Sequence, residues 1–157
     1  MSLADLQRHL AASLAGRGPG PEGMDRETLE RARRSLESKR RRAVGHLLPR
    51  LREALGTGWK ARFAEHAARY TPSGLLYHVD DAWEMAATLA QAPDRGIAAA
   101  AQDDLVMLRL RWVRRREAGA ERIRERWGPL IALTRSPVRL LVLRLPGTRG
   151  KTWRIRV

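Results

Sequence analysis

Residues 97–117 read IAAAAQDDLVMLRLRWVRRRE and residues 129–157 read PLIALTRSPVRLLVLRLPGTRGKTWRIRV. The change of period between these stretches decides the fold class. In the first, Leu105, Leu108 and Trp112 recur at helical spacing, with Val106, Leu110 and Val113 beside them. So broad an apolar face predicts a helix over 97–117 at the centre of the packing. In the second, Trp153, Ile155 and Val157 alternate with Arg154 and Arg156, the period of a strand. Val138–Leu145 is β-branched and Leu-rich, and too short for another buried helix. With Pro146–Gly150 as the connection, 138–145 and 152–157 predict a β-hairpin, to which Leu130–Thr134 could add a third short strand. A lone hairpin is marginal in water, so this one must pack on a helix or a third strand. Between the two stretches, 120–127 (AERIRERW) reads as a continuation of the helix or a short separate one, ended by Gly128-Pro129.

Upstream the pattern is helical throughout. Leu3, Leu6, Leu10 and Leu14 predict an amphipathic helix over 3–15. The Gly- and Pro-rich loop 16–23 follows, and Asp25 is placed to cap a long charged helix over 25–44. Its apolar positions, Leu29, Ala32, Leu36 and Ala43, form a narrow stripe. Pro49 must end or kink this segment, and Gly56-Thr57-Gly58 is a stop. A helix over 58–69 carries Trp59, Phe63 and Ala67 on one side, with Tyr70 following. Thr71–Gly74 is a turn, 79–91 is another helix, and Pro93–Gly96 closes it. The expected fold is mainly α: a compact bundle of about five helices, then a small C-terminal β-hairpin. Residues 1–118 form the helical domain in this reading, and 119–157 a short basic appendage.

Composition narrows the function. The chain has 157 residues, 43% of them hydrophobic, enough for one domain with a real core. It has no cysteine, which removes disulfides, thiolate nucleophiles and Cys-based metal sites. No apolar run approaches the roughly 18 residues of a membrane span. The amphipathic first segment lacks the basic-then-apolar order of a secretory signal, so a cytoplasmic location is expected. The formal charge is +14, unevenly spread. Residues 1–106 hold 16 Lys/Arg and 14 Asp/Glu, whereas residues 107–157 hold 15 Lys/Arg and 3 Asp/Glu. A preference for Arg over Lys can come from codon usage, but the loss of acids after residue 106 cannot. That asymmetry suits an acidic or polyanionic partner.

Motifs for chemistry are sparse. No two of His9, His46, His66 and His78 sit at i, i+4, and none has an HExxH context. His78-Val79-Asp80-Asp81 is the one His/carboxylate cluster. It could ligate a metal or pair an acid with a base, but carboxylates at a helix start more often cap its backbone N–H groups. Asp103-Asp104 reads as early-turn helix charge, because adjacent helical residues diverge. The glycines of GRGPGPEG lack the Lys-Ser/Thr of a phosphate loop, and no serine sits in a GxSxG setting. No catalytic residue, metal or cofactor is assigned. Lys39-Arg40-Arg41-Arg42 reads as solvated helix surface. The later arginines decorate a helix and the hairpin after it, a surface for DNA phosphates or an acidic peptide.

Several segments, in order, resemble the helical domain of the HvfC/BufC-like partner proteins of multinuclear non-haem iron oxidative (MNIO) enzymes. LADLQRHLAASL is similar to that family's opening helix. LERARRSLESKRRRAVGHLLPRLREALG is similar to its long helix, which runs into a Pro-containing turn and a Leu-Gly stop. WKARFAEHAARYTPSG, YHVDDAWEMAATLA and AQDDLVMLRLRWVRRREA take the places of the next helices. The likeness runs from residue 3 to about residue 115. It implies a protein without iron of its own that helps a companion enzyme receive its peptide substrate, and that the family's DNA-binding label is only a label. Members commonly carry a larger β-containing second domain that engages the peptide. Here a short piece stands in its place.

The expected function is therefore that of an accessory protein docking on an MNIO-type enzyme and helping to recruit an acidic precursor peptide. Arg139, Arg144, Arg149, Lys151, Trp153, Arg154 and Arg156 are the expected contact residues. Nucleic-acid binding through the same basic helix and hairpin is the alternative, and no membrane partner is expected.

Overall fold

A computed structural model describes residues 2–14, 18–20, 23–72, 74–117, 120–126, 130–134, 140–144 and 153–156. Their order is α1 (Leu3–Leu14), α2 (Arg26–Leu47), α3 (Pro49–Leu55), a 3-10 turn (Gly56–Gly58), α4 (Trp59–Arg69), α5 (Tyr77–Leu89) and α6 (Arg95–Arg111). Five strands follow, β1 (Trp112–Glu117), β2 (Ala120–Glu125), β3 (Leu130–Thr134), β4 (Leu140–Arg144) and β5 (Trp153–Arg156). The fold is mainly helical with a C-terminal β part, as expected.

The helix starts obey local chemistry. Ser2 and Asp5 form a reciprocal cap on α1: Ser2 Oγ accepts from Asp5 N, and the Asp5 carboxylate accepts from Ser2 N at 3.1 Å. Asp25 caps α2 by accepting from Thr28 N at 2.9 Å. Asp94 caps α6 through Gly96 N and Ile97 N. Pro49 ends α2 by opening a new helix at its first position, where the missing N–H costs nothing. At Gly56 the chain turns with φ +50° and ψ −122°, a backbone conformation that side chains disfavour.

The core lies where α2 to α6 converge. Val44, Leu48, Leu51, Phe63, Val79, Met85 and Leu108 are almost wholly buried there, flanked by Trp59, Trp83, Leu105 and Trp112. Each such side chain contributes about 1.5–3 kcal/mol by leaving water. Asp104 sits inside this core. Its Oδ2 accepts from Leu51 N at 2.9 Å and so holds the start of α3 against α6. Its neighbour Asp103 pairs with Arg50. The Asp103-Asp104 pair is therefore mid-helix, and corrects the early-turn expectation: α6 begins at Arg95, and the two carboxylates reach across to α3.

The largest departure follows α6. The helix expected to reach 117 stops at Arg111, where Trp112 turns extended (φ −124°, ψ 157°). Residues 112–117 and 120–125 instead form an antiparallel hairpin that pairs Trp112 with Glu125, Arg114 with Ile123 and Arg116 with Glu121. The helical reading of 120–127 is overturned with it. Arg126 N bonds Arg111 O at 2.7 Å, which closes the ladder at the helix end. The physical reason is that Trp112 fits either element. It stands four residues after Leu108 and is buried with it, so the helical period runs through the boundary.

The other strands stand where the alternation put them. They form a three-stranded antiparallel sheet in the order β3-β4-β5. Its register pairs Leu130 with Arg144, Leu140 with Arg156 and Leu143 with Trp153.

Candidate functional site

Seven ionisable or phenolic side chains from α2, the C-terminal end of α4, α5 and β1 converge beside the core. Arg40 on α2 donates from Nε to Asp81 Oδ2 at 3.0 Å and from Nη2 to Asp81 Oδ1 at 2.9 Å. The same Nη2 reaches the Tyr70 carbonyl at 3.3 Å. His66 Nε2 stands 2.9 Å from Asp81 Oδ1. One residue earlier on α5, Asp80 turns to a different side, as adjacent helical positions must. Tyr70 donates its hydroxyl to Asp80 Oδ2 at 2.6 Å, and Arg114 on β1 donates to Asp80 Oδ1 at 2.7 Å. The other Arg114 terminal nitrogen meets Glu84, one turn further along α5.

Burial makes these pairs consequential. The Asp81 side chain is 1% exposed and the Arg40 side chain 15%. Charges this deep persist only when paired and hydrogen-bonded. Arg40 lies over the Phe63 ring at 5.8 Å and Arg114 over Trp83 at 5.7 Å, so both guanidinium groups also have an aromatic neighbour. Burial and the hydrogen bond to Asp80 hold the Tyr70 phenol protonated far above its ordinary range. Burial opposes the Arg114 cation, but Asp80 and Glu84 outweigh it and raise its pKa further. The arrangement clamps β1 and α2 to α5 and fixes the C-terminal turn of α4.

A cavity of about 280 Å³ opens next to this network, between α4 and α5. His66, Arg69 and Tyr70 line it from α4, and Glu84, Met85 and Leu89 from α5. A second cavity, of about 490 Å³, runs between α2 and α4 and includes Leu36, Ala67 and the half-exposed Tyr77.

The sequence-derived candidates fare unequally. His78 does not join Asp80 and Asp81. Its ring stands edge-on to Tyr77 with centroids 5.5 Å apart. Nor do the two aspartates cap α5, whose N-cap is Leu76. Among the described residues no group of three or more His, Asp or Glu side chains could hold a metal. Arg40 corrects the reading of residues 39–42 as solvated surface, since it is the buried partner of Asp81. The available signal was its spacing, four residues after Leu36 and four before Val44. Of the expected contact residues, Arg144 lies in β4, and Trp153, Arg154 and Arg156 lie in β5. Arg139, Arg149 and Lys151 fall outside the described residues, as do the side chains of β3 to β5.

Fold and site together define a small helical module, pinned by buried ion pairs and followed by a cationic antiparallel extension. The family model described as "SCO6045-like, C-terminal domain" matches residues 4–91, and the chain belongs to that family. The match takes in α1 to α5 and every member of the ion-pair network except Arg114. No curated protein and no solved structure matches the chain. No helix among the described residues is long and apolar enough to cross a membrane.

Proposed function

We propose that this protein is a non-catalytic accessory subunit. Its helical domain docks on an MNIO-type peptide-modifying enzyme, and its basic extension, residues 119–157, helps recruit that enzyme's acidic precursor peptide. The observation that carries the reading is the strand order β3-β4-β5, in which β5 (WRIR) pairs on one side only among the described residues. An edge strand offers backbone donors and acceptors to an incoming extended peptide. Arg154 and Arg156 within it, and Arg144 on β4, supply charge-assisted bonds for acidic side chains. One further point supports the reading: the helical segments resemble enzyme partner proteins.

The test is co-purification of the tagged chain with an MNIO-type enzyme, followed by titration of the acidic precursor peptide at moderate salt. Reversing Arg154 and Arg156 to Glu is expected to weaken peptide binding by about tenfold or more, equivalent to about 1.4 kcal/mol. Failure to bind both the enzyme and the peptide would sink the proposal. A duplex DNA titration in parallel addresses the rival use of the same charge, 15 Lys/Arg against 3 Asp/Glu after residue 106. Affinity for duplex that collapses steeply with salt, with none for the peptide, would favour nucleic acid instead.

A further inference from the structure

We propose that the cavity between α4 and α5 is a second binding site, which takes an acidic side chain of the partner peptide against Arg69 and His66. This rests on the reading of the partner as an acidic peptide, and adds a point of attachment in the helical body, remote in sequence from β5. The cavity of about 280 Å³ has room for one side chain with a few waters, at about 30 Å³ per water.

Its charges are uneven in their commitments. Arg62 at the rim pairs with Glu65 at 3.0 Å, both about half exposed. Glu84 is matched by Arg114. Tyr70 gives its hydroxyl to Asp80. Arg69, exposed in the last turn of α4, has no side-chain hydrogen bond or ion pair among the described residues. His66 uses Nε2 on Asp81, whose other partner is Arg40 from α2, and Nδ1 has no partner among the described residues. Asp81 thereby fixes the ring plane and leaves Nδ1 as the nitrogen an occupant can use. Met85 and Leu89 supply an apolar wall for the methylenes of a glutamate. A carboxylate would meet the Arg69 guanidinium with His66 Nδ1 beside it, and an acid is preferred over its amide. The other charges facing His66 across the site are the Arg62–Glu65 and Glu84–Arg114 pairs, each internally neutralised.

The experiment follows the His66 ring protons by NMR while the full chain is titrated with an acidic ten-residue peptide, and separately with its Glu→Gln counterpart. Peptide affinity is measured alongside by fluorescence anisotropy. The expected result is a His66 shift with the acidic peptide only, and several-fold weaker binding for Arg69→Ala. Arg69 is exposed, so this variant keeps the fold. If the peptide binds, β5 charge reversal weakens it, and neither the His66 signals nor Arg69→Ala responds, the cavity assignment is overturned while the accessory reading stands. If the peptide does not bind at all, both peptide sites fall together.

Discussion

Replacing Asp81 by Asn tests the buried ion pair that joins α2 to α5. The substitution keeps the shape and one acceptor oxygen but leaves Arg40 without its countercharge, in a site where that side chain is 15% exposed. Removing one partner of a buried pair typically costs about 3–5 kcal/mol. Arg40 keeps its bond to the Tyr70 carbonyl at 3.3 Å and some access to water, so the lower figure applies, about 3 kcal/mol. For a chain of this size that lowers Tm by about 6–12 °C. Urea unfolding by circular dichroism, with the midpoint read at constant m-value, measures it. Two comparisons isolate the cause. Arg42→Ala, exposed on the same basic run, should stay within about 0.5 kcal/mol of the parent. The double variant Arg40→Met with Asp81→Leu removes both charges together and should recover most of the loss, because apolar replacement of a whole buried pair is often neutral. A cost below about 1 kcal/mol for Asp81→Asn, or equal costs for Arg40→Met and Arg42→Ala, would refute the claim that this pair anchors α2 to α5.

Three further outcomes are expected. Burial pushes the Asp104 carboxyl up to about 6 from 3.8. The folded state therefore holds this proton where the unfolded chain has lost it, and the group's contribution to stability falls as pH rises from about 4 to 6; Asp104→Asn should remove that slope in pH-dependent unfolding. Arg114→Ala frees β1 from Asp80 and Glu84, and hydrogen exchange of the β1 and β2 amides should accelerate by about tenfold or more while α2 to α4 stay protected. Gly56→Ala should cost about 1–3 kcal/mol in urea unfolding, because φ +50° with ψ −122° is a region that only glycine occupies comfortably.

What could be read from the sequence follows from where the signals are local. Asp25 and Pro49 mark helix ends through bonds within a few residues, and the sequence places both correctly. The alternation Trp153-Arg154-Ile155-Arg156 is likewise local and marks β5. The β1–β2 hairpin was hidden because its strands, WVRRRE and AERIRE, carry almost no apolar alternation, while Leu105, Leu108 and Trp112 extend the helical period past the true end. The ion-pair network was hidden for another reason. Arg40 and Asp81 stand 41 residues apart, and composition rules send an Arg in a KRRR run to solvent. His66, not His78, meets Asp81 because the last turn of α4 faces α5, and no spacing rule contains that packing.

The network also changes how the net charge should be counted. Arg40 and Asp81 cancel inside the fold, and Arg114 is held between Asp80 and Glu84, so none of these contributes much to the field outside. The charge that an approaching partner senses comes from the others, and their excess of Lys/Arg over Asp/Glu lies after residue 106. Their neutralisation is slight: of the three acids after residue 106, Glu125 meets Arg111 at 3.4 Å, and Glu121 stands across the ladder from Arg116. A field of one sign that lies on an extension, with a body that is nearly neutral beside it, orients a polyanionic partner before contact. At physiological salt it reaches only about 8 Å. The field can therefore draw an acidic segment to the extension, but it cannot hold that segment along the helical body. Retention there requires a short-range contact, the role proposed above for the cavity lined by Arg69 and His66.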